Sequence, residues 1–300
     1  MKDIKTEIIN TTKQIGDLVD WLTLRHASPE PDKPTIYIDL EGVKLSREGS
    51  ISILTLLIDT GTPTMRVCLI DVYSLGSQAF NTTGIKSKTL KDILQDEKIP
   101  KVFFDVRSDS DALFAHFSVA LRGVEDVQLM ESATRTSTGP RKFLNGLAKC
   151  IENDVLYDGG DVTSWKLAKE KGERLFKAEH GGSYEIFNRR PIPDDIISYC
   201  VGDVQYLPTL WRRFRLKTNS WRDLVNDETK KRVAASQKQV LQPNHPQRTL
   251  SPWSEDQNRT LDNCKRPRWL IKYHTKQDFR ALTASRSTIQ KLALALKFLV

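Results

Sequence analysis

Between Thr35 and Gly42, Ile36, Ile38 and Leu40 alternate with Tyr37, Asp39 and Glu41. A two-residue period of this kind is a β-strand with an apolar face and a face that carries both carboxylates. Like charges two residues apart on the central strand of a core repel each other and lose hydration, a cost that a cation offsets. A hard divalent ion is the matching partner for paired carboxylate oxygens. A strand that surfaces and solvates both acids has the same local pattern, so the rest of the chain has to decide between the two.

The surrounding pattern predicts a sheet for this strand to sit in. Ser50–Ile58 and Met65–Val72 read as two further strands, separated by the turn-rich Asp59-Thr60-Gly61-Thr62-Pro63, so three strands form an antiparallel meander. Before them, Ile15, Leu18, Val19 and Leu22 keep helical spacing behind a Thr11 or Thr12 cap. After them, Lys86–Gln95 reads as helix, Lys101–Phe104 as a short strand, Ser108–Leu121 as helix and Val124–Leu129 as a fifth strand. Strand, helix, strand at this spacing implies a parallel crossover, hence a mixed five-stranded sheet flanked by helices. Arg141–Ile151 reads as another helix, and Asn153–Pro193, with Gly159-Gly160 and Gly181-Gly182 around a charged helical piece at Trp165–Lys177, as an excursion beside the core. Pro191 and Pro193 open a late helix whose buried side is expected to carry Ile197, Cys200, Val201, Val204 and Leu207. A further helix is expected over Trp221–Gln239 and an amphipathic piece over Ser287–Val300.

Charge divides the chain. Residues 1–204 hold 26 Lys+Arg against 31 Asp+Glu, net −5, and residues 205–300 hold 20 against 7, net +13, within an overall +8. A mildly acidic folding unit joined to a basic segment suits a polyanionic partner, and a solvated basic tail fits the same numbers. The expected division is a domain over 10–218 and a basic C-terminal helix and irregular extension over 219–300. The longest apolar run, around Ile51–Ile58, is too short to span a bilayer, and no apolar signal segment follows the charged start, so a soluble, intracellular protein with no membrane partner is expected, nuclear or cytoplasmic. Cys68, Cys150, Cys200 and Cys264 form no C-x-x-C pair, which suits reduced thiols and argues against structural zinc.

Two further stretches carry candidate chemistry. Tyr199 and Asp203 stand at i, i+4 on the late helix and share a face. Asp111 lies in the first turn of the Ser108 helix, where it also fits a capping box with Ser108. Asp105 and Asp109 compete for the same role, and Asp111 is preferred because it directly precedes Ala112-Leu113, where the helix begins to bury its face. Arg107, Arg189 and Arg190 are candidate phosphate contacts, since a guanidinium fork matches phosphate oxygens.

Asp39-x-Glu41 on a first strand, Asp111 at a mid-chain helix start and Tyr199-x-x-x-Asp203 on a late helix together resemble the DEDDy 3′–5′ exonucleases, which include ribonuclease D and the Werner-type exonuclease domain. The resemblance covers roughly residues 10–215 and is most specific at Tyr199-Cys200-Val201-Gly202-Asp203-Val204-Gln205-Tyr206-Leu207. Asp105-Val106-Arg107 and Ser110-Asp111-Ala112-Leu113 are similar to the exonuclease-domain-containing branch, in which a His often precedes that first Asp; Phe104 stands there in this chain. The resemblance implies an RNase H-like fold and hydrolysis with two divalent ions, Mg²⁺ or Mn²⁺. Nucleoside 5′-monophosphates would leave the 3′ end of RNA or single-stranded DNA. Asp39, Glu41, Asp111 and Asp203 would be the metal ligands and Tyr199 the residue that orients the water. Its alternative is an adaptor that keeps the fold, binds nucleic acid and cuts nothing.

Overall fold

A computed structural model of the chain describes residues 3–27, 34–135, 138–155, 162–215, 219–238 and 246–263. The Ile36/Ile38/Leu40 alternation produces strand β2 (Ile36–Glu41), between β3 (Ile53–Ile58) and β5 (Lys101–Phe103). β2 pairs antiparallel with β3, which places Asp39 opposite Thr55 and Glu41 opposite Ile53. β5 pairs with β2 in parallel, and β6 (Val124–Asp126) continues the parallel side. The expected meander closes with β4 (Thr64–Asp71), antiparallel to β3.

The sheet has six strands, not five, in the order β1-β4-β3-β2-β5-β6. The added strand, β1 (Asp3–Ile9), runs parallel to β4 along one edge. Ile4 and Ile8 pack inward there, while Asp3 and Lys5 alternate with them, as an edge strand requires. The strand expected over Val124–Leu129 stops at Asp126. The Asp126 side chain accepts the Gln128 N–H and caps helix α6 (Val127–Thr134).

Two apolar layers flank the sheet. One holds Ile36, Ile38, Leu54 and Leu56 against α1 (Thr12–Arg25), the short α2 (Val72–Leu75) and α3 (Gln78–Asn81), α4 (Leu90–Gln95) and α5 (Arg107–Phe117). α1 starts with a capping box in which the Thr11 side chain accepts the Gln14 N–H. The other layer holds Tyr37, Ile53, Leu57 and Val102 against α6, α8 (Leu147–Asp154), α9 (Val162–Phe176), α10 (Asp194–Gln205) and α11 (Leu207–Phe214), with the single turn α7 (Thr138–Arg141) beside α6. Asp39 and Glu41 face this second layer. Full burial of each such aliphatic side chain is worth about 1.5–3 kcal/mol. Asp39 and Glu41 therefore sit on a strand anchored by apolar side chains on both of its faces.

The C-terminal side is built into this body as far as it is described. α12 (Asn219–Ser236) packs on α5, β6 and α6, with Trp221 and Val225 in one layer and Val233 in the other. Residues 246–263 then cross back. Leu144 donates its N–H to Thr249 O, the Trp253 indole N–H reaches Ser132 Oγ, and fully buried Arg141 pairs with Asp262 of α13 (Glu255–Asn263). The amphipathic piece expected over 287–300, Cys264 and the basic run at Lys265 lie outside the described residues.

Candidate active site

β2 and α10 meet so that ligand atoms of Asp39, Glu41 and Asp203 lie within 4.8 Å of one another. Burial first, and then the neighbouring charges of Glu41, Asp203 and Asp109, hold the Asp39 carboxyl well above the usual carboxylate range. Burial and Asp203 do the same to Glu41. Asp39 Oδ2 is buried without a hydrogen-bond partner in the structure.

Asp109 is a further acid, close enough to act electrostatically on Asp39 and Glu41. It is 5 % exposed, and its Oδ1 is a second buried oxygen without a partner. Burial pushes its pKa up to about 7, against which its own N–H and that of Leu40 pull down and the Asp105 and Asp126 charges push up. Asp111, the expected fourth ligand, is not brought to the cluster. Successive helix residues turn by about 100°, so positions 109 and 111 point in nearly opposite directions. Asp111 accepts both the backbone N–H and the Nε–H of Arg47, each at 2.7 Å. The same guanidinium donates to Ser236 O at the end of α12. Asp111 thus ties the loop after β2 to α5 and α12.

The turn that presents Asp109 is held from below. Asp105 sits in the left-handed region at φ 62°, which an Asp tolerates better than most residues. Fully buried Asp126 accepts the N–H of Asp105 at 3.1 Å and of Val106 at 3.2 Å, and Arg232 of α12 donates to it at 2.8 Å. Arg232 was counted in the sequence with the basic C-terminal part; it is a buried structural partner of an acid. Of the candidate phosphate contacts, Arg107 forks onto Asp105, with 2.6 Å from Nη2 to Oδ2, and also donates to Arg248 O. Arg190 donates from Nε to Asp71 Oδ2 at 2.7 Å and from Nη1 to Phe187 O at 2.8 Å. Both are engaged away from the carboxylates, and Arg189 is exposed.

Tyr199 lies on α10 one turn before Asp203 and is 9 % exposed. Both were placed outside the apolar side of that helix, but α9, within the segment read as an excursion, covers them. The Trp165 indole N–H donates to Gly202 O at 3.1 Å and ties α9 to α10. Gly172 makes the approach possible, because a Cβ there would lie 2.6 Å from Tyr199 Cβ. Phe176 meets the Tyr199 ring edge-on at 5.2 Å. Burial, then the charges of Glu41, Asp203 and Asp39, push the phenol far above its ordinary range, so it stays protonated.

α9 also supplies a residue with no warning in the sequence. Lys169 Nζ donates to Asp203 Oδ1 at 2.7 Å and lies 4.7 Å from the centre of the Tyr199 ring. Burial pulls its pKa down, yet the charge and hydrogen bond of Asp203 and the charge of Asp39 lift it above the ordinary lysine value. Lys169 and Gly172 are three residues apart and share one face of α9, which places ammonium and bare backbone together over the site.

A family profile of 3′–5′ exonucleases matches residues 14–219. The chain belongs to the 3′–5′ exonuclease family. It is 25 % identical over 167 residues to the piRNA biogenesis protein EXD1 of Mus musculus, a match that covers 56 % of this chain and 26 % of that protein. The chain thus spans about a quarter of that relative. Its fold is similar to Trypanosoma brucei RNase D in complex with GMP, with a TM-score of 0.60 at 20 % identity over 86 % of this chain and 71 % of that one. The complex of the same enzyme with RNA U12 gives a TM-score of 0.60 at 20 % identity over 87 % and 79 %. Escherichia coli RNase D, an exoribonuclease, gives 0.53 at 18 % over 79 % and 52 %. The fold is the RNase H-like α/β fold of these DEDDy-type exonucleases. No helix among the described residues is long and apolar enough to cross a membrane.

Proposed function

We propose that the chain is a divalent-metal-dependent 3′–5′ exonuclease that removes nucleoside 5′-monophosphates from RNA or single-stranded DNA. The observation that carries this reading is the half-buried cluster of Asp39, Glu41 and Asp203, with Asp109 acting on it electrostatically, in which Asp39 Oδ2 and Asp109 Oδ1 are buried without a partner. Buried acids left in this state are costly, and hard cations with oxygen ligands relieve the cost. The residues fit Mg²⁺ or Mn²⁺, with Asp39, Glu41 and Asp203 as one ligand group and Asp109 on its flank. Bound divalent ions supply charge stabilisation to the attacking and leaving oxygens of an in-line phosphoryl displacement.

The chain's own residues do the remaining work. The Tyr199 hydroxyl would orient the water by hydrogen bonding, a reading its burial on α10 one turn before Asp203 and its upward-shifted pKa support over one as a base. Asp126 and Arg232 fix the Asp105–Val106 turn and thereby the position of Asp109. RNA is the favoured polymer, because the fold matches an RNase D in complex with RNA U12.

The adaptor reading draws on one observation. Lys169 already neutralises Asp203, as a lysine would in a site that has no use for metal. Incubation of the full chain with 5′-labelled single-stranded RNA and DNA in Mg²⁺, Mn²⁺ or EDTA separates the two. The proposal expects a ladder that shortens by single nucleotides from the 3′ end and stops in EDTA. Intact substrate in every metal, with retained binding, would establish the adaptor.

A further inference from the structure

Lys169 is the one feature of the site for which the hydrolytic chemistry gives no role. Its ammonium is 2.7 Å from Asp203 Oδ1, and Asp203 is also one of the three residues whose oxygens converge on a common point. An oxygen that donates its lone pair to a divalent ion in that group faces a competing positive charge already in place. The lysine side chain is 18 % exposed, with its ammonium over the Tyr199 ring at 4.7 Å and the Trp165 ring at 6.0 Å. Glu173, one turn further along α9, acts electrostatically on the same ammonium. That carboxylate already accepts from Lys177 Nζ at 2.6 Å, at the i, i+4 spacing at which Lys and Glu pair on a helix, so a displaced Lys169 ammonium would share it. Trp165 pins α9 itself to α10 through Gly202 O, so the side chain, not the helix, has to move.

We propose that Lys169 is an internal cation that fills the metal-free site through Asp203, and that a divalent ion binds by displacing it. Lys169 thus sets the affinity of the protein for its metal. The proposal rests on the metal-dependent reading above. Without a divalent ion the lysine keeps Asp203 paired. Loading would exchange a single tethered charge for a divalent one and turn the ammonium toward solvent and the Glu173–Lys177 pair. A site of this design stays closed to metal at low concentration and fills only when the ion outcompetes the tether.

The test is direct Mn²⁺ binding by the full chain, by calorimetry and by the electron paramagnetic resonance signal of free Mn²⁺, with no nucleic acid present. Lys169→Met keeps the aliphatic stem and removes the charge, and it should tighten Mn²⁺ binding at least tenfold, which corresponds to about 1.4 kcal/mol. Lys169→Arg keeps the charge and adds a fork that suits a carboxylate, so it should bind Mn²⁺ no more tightly than the wild type. This second variant tests the proposal even if Lys169→Met fails to fold. Equal or weaker Mn²⁺ binding by Lys169→Met, or tighter binding by Lys169→Arg, would overturn the displacement. If Mn²⁺ binds neither the wild type nor either variant, the metal-site reading itself fails, and with it the inference.

Discussion

Asp109 and Asp111 stand two residues apart on one helix, and replacing each by Asn separates their roles by opposite signatures. Asp109→Asn removes an acid that acts electrostatically on the cluster. Loss of metal-based charge stabilisation worth several kcal/mol, at 1.36 kcal/mol per tenfold, lowers kcat by about 10²–10³. Stability without metal moves the other way. The Asp109 pKa is pushed up from 3.8 to about 7, so between those values the folded state binds more protons than the unfolded one. Stability contributed by this group therefore falls as pH rises from 4 to 7. Above about pH 7 the folded protein bears the whole cost of this buried charge. The Asn variant escapes it, so its gain over the wild type in EDTA should be near zero at pH 4 and largest at pH 8. Asp111→Asn instead breaks the Arg47 ion pair, in which the two side chains are 19 % and 5 % exposed, and should cost about 1–3 kcal/mol because the amide oxygen still accepts one of the two hydrogen bonds. Its turnover per folded molecule should stay near that of the wild type. Urea melts in EDTA across pH, paired with single-turnover degradation of labelled RNA, measure both quantities. Wild-type turnover in Asp109→Asn, or abolished turnover with unchanged stability in Asp111→Asn, would refute the assignment and return the role to Asp111.

Three more outcomes follow from particular contacts. Tyr199→Phe should lower kcat by about ten- to a hundredfold with little change in KM, because an orienting hydroxyl acts mainly in the transition state; steady-state kinetics on a short RNA read the split. Lys101 is fully buried with Nζ donating to Asp96 O at 2.6 Å, and burial lowers its pKa from 10.5 to about 7. The unfolded chain then binds the extra proton between those values, so stability should climb by up to about 1.4 kcal/mol per pH unit from pH 7 to 10, and Lys101→Met should flatten that slope. Arg232→Met leaves the Asp126 carboxylate buried and unpaired and should cost about 3–5 kcal/mol, part of which Asp126→Asn in the same chain restores; thermal melts of the single and double variants decide it.

The sequence shows most of what local periodicity encodes. β2, the meander and the Tyr199–Asp203 helix are legible because their apolar spacing is strong and their acids interrupt it at fixed places. β1 was passed over although Ile4, Thr6 and Ile8 alternate with Asp3, Lys5 and Glu7, because charges on an edge strand look like a disordered start. Choosing between Asp109 and Asp111 needed the rotation of α5 about its own axis, which is set by Asp126 beneath the turn and Arg47 beside the helix. Neither contact is local, since Arg47 is 64 residues from Asp111. Lys169 and Arg232 carried no signal, because a cation aimed at a buried acid and a solvated one are the same letter. Net charge grouped Arg232 with the basic C-terminal part, whereas the fold uses that residue as a buried partner of Asp126.

The central claim is that a water activated at the Asp39–Glu41–Asp203 cluster attacks phosphorus and the 3′-oxygen of the preceding nucleotide leaves. Digestion of single-stranded RNA by the full chain in H₂¹⁸O with Mn²⁺, followed by mass spectrometry of the released nucleotide, tests it directly. The claim predicts a nucleoside 5′-monophosphate carrying one ¹⁸O on its phosphate after a single cleavage, absent in EDTA and absent with Asp203→Asn. Release of a 3′-monophosphate or a cyclic phosphate, or labelled product that persists in EDTA, would contradict it.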